Sequence, residues 1–201
     1  MLQWIRTSVI KTVFALVLLL APGTVWADRV ALVIGVAKYQ NIEALDNTTN
    51  DARLIADTLT GIGFDVTLVL DAGYAELSKA MESFSFRSET AELALIYFAG
   101  HGVEVQGNNY LIPADADVRS NRDVQRQSVS LDDFLTTVDR ARVMRIVILD
   151  SCRNNPFGDM IDPTAEVAEP QAAAAGGLAE PSPDRGTLVA FAARDGQVAL
   201  D

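Results

Sequence analysis

Leu93-Ala-Leu-Ile-Tyr-Phe-Ala-Gly-His-Gly102 and Arg145-Ile-Val-Ile-Leu-Asp-Ser-Cys152 are the two stretches on which the fold turns. Each is a short apolar run that ends abruptly, the first in a Gly-His-Gly triplet and the second in Asp-Ser-Cys. Runs of this length, rich in branched and aromatic side chains and bounded by turn residues, read as strands buried on both faces. Strands are therefore expected over Leu93–Phe98 and Arg145–Leu149, and by the same criterion over Val30–Val36, Phe64–Leu70 and Thr187–Ala192. Between them the apolar period changes. Asn50–Thr60 places Ala52, Ile55, Ala56 and Leu59 on one helical stripe, with Gly61 as its stop. Ala75–Phe84 and Leu131–Val138 read as two more helices, the second opened by Ser130 and an acidic first turn. Alternation of strand and helix with right-handed crossovers implies an α/β fold, a mainly parallel sheet with helices on both faces.

Both decisive strands deliver chemistry to the same edge. Open parallel sheets bind ligands at the carboxyl ends of their strands. There the chain places its only histidine, His101, and its only cysteine, Cys152. A thiol with an ordinary pKa near 8.5 is mostly protonated at neutral pH and needs a basic neighbour to become a nucleophile. His101 fits that need if the two strands are adjacent. Glycines on both sides of it let backbone approach a substrate, and the amides of Gly102 and Cys152 are candidates to hold a developing oxyanion. The plainer reading makes both residues structural, the cysteine as a small buried hydrophobe. No phosphate-binding glycine fingerprint follows any strand, which argues against the common nucleotide-binding uses of such a sheet.

Residues 1–27 have the layout of a secretory signal peptide: Arg6 and Lys11, an apolar run from Thr12 to Leu20, a Pro-Gly break and the small-residue ending at Ala27. The run is shorter than the roughly 20 residues a membrane span needs, so cleavage and export, to a periplasm or the exterior, are expected, with an uncleaved anchor as the alternative. The 174 residues that remain make one domain, 28–201. Two of the 16 basic residues and none of the 27 acidic ones lie in the leader, so that domain carries 14 basic against 27 acidic residues, net −13. Such a charge argues against nucleic acid and anionic membrane surfaces as partners and favours cationic ligands or peptides. One cysteine permits no intramolecular disulfide. Gly158–Asp184 has four prolines, an Ala-Gly tract, six acids and no basic residue, so 158–185 reads as a surface linker.

The segments YFAGHGVEV (97–105), ILDSCRNNPF (148–157) and NTTNDARLIADTLTGIGFDV (47–66) together resemble the histidine block, the cysteine block and the first helix of the caspase and metacaspase superfamily. The separation of His101 from Cys152 is 51 residues, near the spacing of about 50 in the caspase signature. The resemblance implies a caspase-hemoglobinase fold and a cysteine endopeptidase with a His101–Cys152 dyad and no cofactor in its chemistry. It departs from the caspase Q-A-C signature, because Asp150 stands two residues before the cysteine. By likeness to metacaspases, Asp51 and Asp150 would line the pocket for the residue preceding the cut. Two carboxylates there select Arg or Lys by charge, so polypeptides with basic residues are the expected substrates. Each aspartate also has a simpler role available, as a helix-end acid or a strand-end cap.

Three further expectations follow. Metacaspases often need calcium, and the carboxylates of Asp115, Asp117, Asp132 and Asp133 suit that ion as an activator, though their spacing matches no recognised calcium loop. Arg185 is the only basic residue between Arg153 and Arg194, so Arg185–Gly186 is a candidate self-cleavage bond. The family usually continues past a segment like GQVALD into another strand and helix, so the chain is expected to be a fragment. The reading from a different class is a caspase-fold binding module without catalysis.

Overall fold

All five apolar runs are strands of one parallel sheet in the computed structural model, which describes residues 28–151 and 186–191. In chain order the elements are β1 (Arg29–Gly35), α1 (Thr48–Gly61), β2 (Asp65–Leu70), α2 (Tyr74–Ser88), β3 (Leu93–Ala99), β4 (Gly102–Val105), β5 (Asn108–Leu111), α3 (Asn121–Gln127), β6 (Val129–Ser130), α4 (Leu131–Val138), β7 (Met144–Asp150) and β8 (Thr187–Phe191). The sheet runs β2-β1-β3-β7-β8 with every neighbouring pair parallel.

That order dictates where the helices go. The chain steps from β1 outward to β2, then returns past β1 to β3 and on to β7. Right-handed crossovers in opposite directions must lie on opposite faces. Accordingly α1 packs on one face, with Ala52, Ala56 and Leu59 against Ala31, Val33, Leu95, Tyr97 and Ala99. On the other face α2 and α4 set Leu77, Met81, Phe84, Phe134 and Val138 against Val30, Leu32, Ile34, Ile96, Phe98, Val147 and Leu149. Phe98 and Phe134 meet edge to face at 6.0 Å, a favoured aromatic geometry. Each such fully buried side chain contributes about 1.5–3 kcal/mol through removal from water.

The helix ends follow their capping chemistry, with one correction. Gly61 is still helical; the stop is Gly63, in the left-handed region at φ 90. Its amide bonds to Thr60 O and that of Phe64 to Leu59 O, which closes the helix in a Schellman turn. α1 also begins two residues earlier than the stripe indicated, and α2 extends to Ser88. Ser130 caps α4 as expected, accepting from the Asp133 amide at 3.1 Å while its hydroxyl donates to the Asp133 carboxylate.

The sequence reading did not foresee a second, antiparallel sheet, β4-β5-β6. Its β4–β5 hairpin turns on Gln106 and Gly107, both at positive φ. With α3 it encloses a small core of Val103, Val105, Ile112, Ala116, Val118 and Val124. Among the described residues no helix is long and apolar enough to cross a membrane.

Candidate active site

β3 ends at Ala99 and β7 at Asp150, and these two residues are partners in the parallel register. The next amide after β3, that of Gly100, donates to the Asp150 carbonyl at 3.2 Å. The histidine loop is thereby tied to the end of the cysteine-bearing strand. Both lie on the carboxyl edge of the sheet, beside the point between β1 and β3 where the strand order reverses, the general place for ligands in such folds.

His101 is buried, at 7% exposure. Its backbone amide donates to the Tyr39 hydroxyl at 2.7 Å, and the two rings sit 4.7 Å apart. Nε2 lies 3.0 Å from the carbonyl oxygen of Glu43. A carbonyl only accepts, so Nε2 carries the proton in that contact and Nδ1 is the basic nitrogen of the neutral ring. Gly100 is required here. A β-carbon at that position would stand 2.7 Å from the Tyr39 hydroxyl and 2.9 Å from the Phe98 ring. The loop that carries Tyr39 and Glu43 is anchored in turn by Asp71, whose carboxylate accepts from the amides of Ala37 and Lys38 at 2.8 and 2.9 Å.

The two candidate pocket carboxylates lie on the α1 side of the sheet. Asp150 accepts a hydrogen bond from the Tyr97 hydroxyl at 2.8 Å. Asp51, in the first turn of α1, is half-buried and close enough for its charge to act on the same phenol. Burial, then the hydrogen bond to Asp150, then the charges of Asp150 and Asp51 push the Tyr97 phenol well above the ordinary tyrosine range. Among the described residues no arginine or lysine pairs with either carboxylate. Gly102 is buried and opens β4 opposite Leu111. Ser151 is buried and follows Asp150. Cys152, one peptide bond further, lies outside the described residues, as do Arg185, the 158–184 stretch and residues 1–27.

The four carboxylates named for calcium are spread over different tasks. Asp115 accepts from the Tyr74 amide at the start of α2, Asp117 pairs with Arg119 at 3.1 Å, and Asp132 and Asp133 occupy the first turn of α4. Among the described residues no three His, Cys, Asp or Glu side chains converge as a metal site.

The family model of the caspase domain matches residues 28–201. The chain belongs to the caspase-domain family. Members of this family are cysteine peptidases. Over 136 residues, 67% of the whole chain, it is 28% identical to human mucosa-associated lymphoid tissue lymphoma translocation protein 1, and it is 28% identical to the mouse homolog over the same length. It spans 16% of the length of those curated relatives. In fold it is similar to the Drosophila initiator caspase Dronc, with a TM-score of 0.54 at 12% identity over 81% of this chain and 54% of that one. It is similar also to pro-sf-caspase-1, with a TM-score of 0.54 at 15% identity over 82% of this chain and 60% of that one.

Within this caspase domain three contributors escaped sequence reading. Tyr97 carried a signal: a polar-tipped residue inside an apolar strand, two positions before the residue that faces Asp150. Tyr39 lies in a loop without periodicity, and Glu43 acts through its backbone, so its side chain advertises nothing.

Proposed function

We propose that the domain is a cysteine endopeptidase in which His101 and Cys152 form the catalytic pair and Asp51 and Asp150 select Arg or Lys before the cut. The observation that carries this reading is the bond from Gly100 to the Asp150 carbonyl, which ties the His101 loop to the strand that runs into Cys152. Nδ1 of His101 takes the thiol proton, and the Cys152 thiolate attacks the scissile carbonyl carbon. The backbone amides of Gly102 and Cys152 hold the oxyanion of the tetrahedral intermediate. The imidazolium then gives its proton to the leaving amine, and a thioester remains. Water, deprotonated by His101, hydrolyses that thioester and restores the thiol. The chemistry calls for no cofactor.

The specificity reading is supported by two half-buried carboxylates on one side of the sheet edge, with no cationic partner among the described residues. A basic side chain supplies the missing charge, whereas an apolar one leaves both acids desolvated and unpaired. Gly186, exposed and immediately before β8, gives Arg185–Gly186 an accessible carboxyl side for self-processing. The signal-peptide layout of residues 1–27 supports export of this peptidase.

Fluorogenic peptides ending in Arg or in Asp, assayed with the protein and with its Cys152→Ala variant, test the reading. Arg cleavage that disappears in the variant is expected. Asp cleavage would overturn the pocket assignment, and no cleavage of either by folded protein would leave a caspase-fold binding module.

A further inference from the structure

Tyr97 is buried at 4% exposure, yet it ends in a hydroxyl that the chemistry above does not use. Its ring packs on the α1 face of the sheet with Val33, Leu95, Ala99 and Ile148. The register explains its reach. Ala99 faces Asp150, so Tyr97, two residues back on the same face of β3, is the diagonal neighbour of Asp150 on β7. Neighbouring strands lie about 4.8 Å apart and rise about 3.3 Å per residue, so this diagonal spans about 8 Å, within reach of an aromatic side chain. The hydroxyl closes that span and donates to Asp150 Oδ2 at 2.8 Å.

We propose that Tyr97 is a positioning residue for substrate selection, holding one oxygen of Asp150 so that the carboxylate is fixed before a basic side chain arrives. This rests on the reading of Asp150 as a pocket residue. An aspartate at a strand end turns about two torsions, and a free one would lose that mobility on each binding event. A phenol locked in the core removes it in advance. Its hydroxyl remains a donor, because burial and the charges of Asp150 and Asp51 oppose loss of its proton.

The test is a double-mutant cycle on an Arg fluorogenic peptide with wild type, Tyr97→Phe, Asp150→Asn and the double variant. Cys152 alkylation by iodoacetamide is followed in each, together with the unfolding midpoint. Tyr97→Phe is expected to raise KM about tenfold, as loss of a hydrogen bond to a charged group does. Its kcat is expected to stay within about twofold and its alkylation rate to be unchanged, because uniform substrate binding is what is lost. In the Asp150→Asn background the same substitution is expected to add nothing. An unchanged KM, or the same loss in both backgrounds, makes Tyr97 a core residue only and overturns the assignment. If Asp150→Asn abolishes Arg preference while Tyr97→Phe keeps wild-type KM, this inference falls and the pocket stands. If the wild type shows no Arg cleavage, both fall together.

Discussion

The two faces of the parallel sheet are built on different plans. On the α2 and α4 side, large side chains meet: Phe84, Phe98, Phe134, Leu77 and Leu149 are all buried to within a few per cent. On the α1 side small residues, Ala31, Ala52, Ala56 and Ala99, stand among Val33, Leu59, Leu95 and Tyr97, with Gly35 at the strand end. A β-carbon on Gly35 would lie 2.6 Å from that of Ala52 and 2.8 Å from the Thr48 carbonyl. The small residues draw the first turn of α1 down onto the strand ends, and that turn carries Asp51. One face is held by volume; the other gives up volume so that a helix terminus and two carboxylates share one corner with Tyr97.

Four substitutions break or sharpen this contrast. Phe134→Ala empties a site in the large-residue face and is expected to cost about 3–5 kcal/mol in urea unfolding. A loss under 1 kcal/mol would show that the stabilising weight lies elsewhere. Asp150→Asn, on the other face, should lower kcat/KM for Arg peptides about 100-fold, as loss of a charge partner does. Its stability should stay within about 1 kcal/mol of wild type. Gly35→Ala probes the close approach itself: with a backbone carbonyl among the atoms it would meet, α1 must shift, at about 1–3 kcal/mol. Coupled loss of Arg preference in this variant would tie helix position to selection, and its absence would separate them. Ser130→Ala removes the cap of α4 behind the large-residue face, and about 1 kcal/mol is expected by the same unfolding measurement.

The contrast also explains what the sequence disclosed. Strands buried on both faces announce themselves as apolar runs, so all five were readable within a residue or two, and α4 was readable to the residue. β4, β5 and β6 are four, four and two residues long, too short to establish a period, and their turn is Gln106-Gly107 where a signal such as Asn-Gly would have stood out. His101 was legible because it is unique and sits between glycines. The groups that orient it were not. Tyr39 comes from a loop after β1, 62 residues away in sequence, and the Glu43 contribution is a peptide carbonyl. Asp51 and Asp150 entered through resemblance, and only the register of β3 and β7 links Asp150 to Tyr97.

Support supplied by the Glu43 carbonyl has a genetic consequence. The Glu43 side chain is exposed, and every amino acid placed at 43 brings the same carbonyl with it. A scan of single substitutions would therefore score position 43 as dispensable. This part of the histidine's orientation is written in the length and course of the loop from Val36 to Asn47, where an inserted or deleted residue is visible and a replacement of Glu43 is silent.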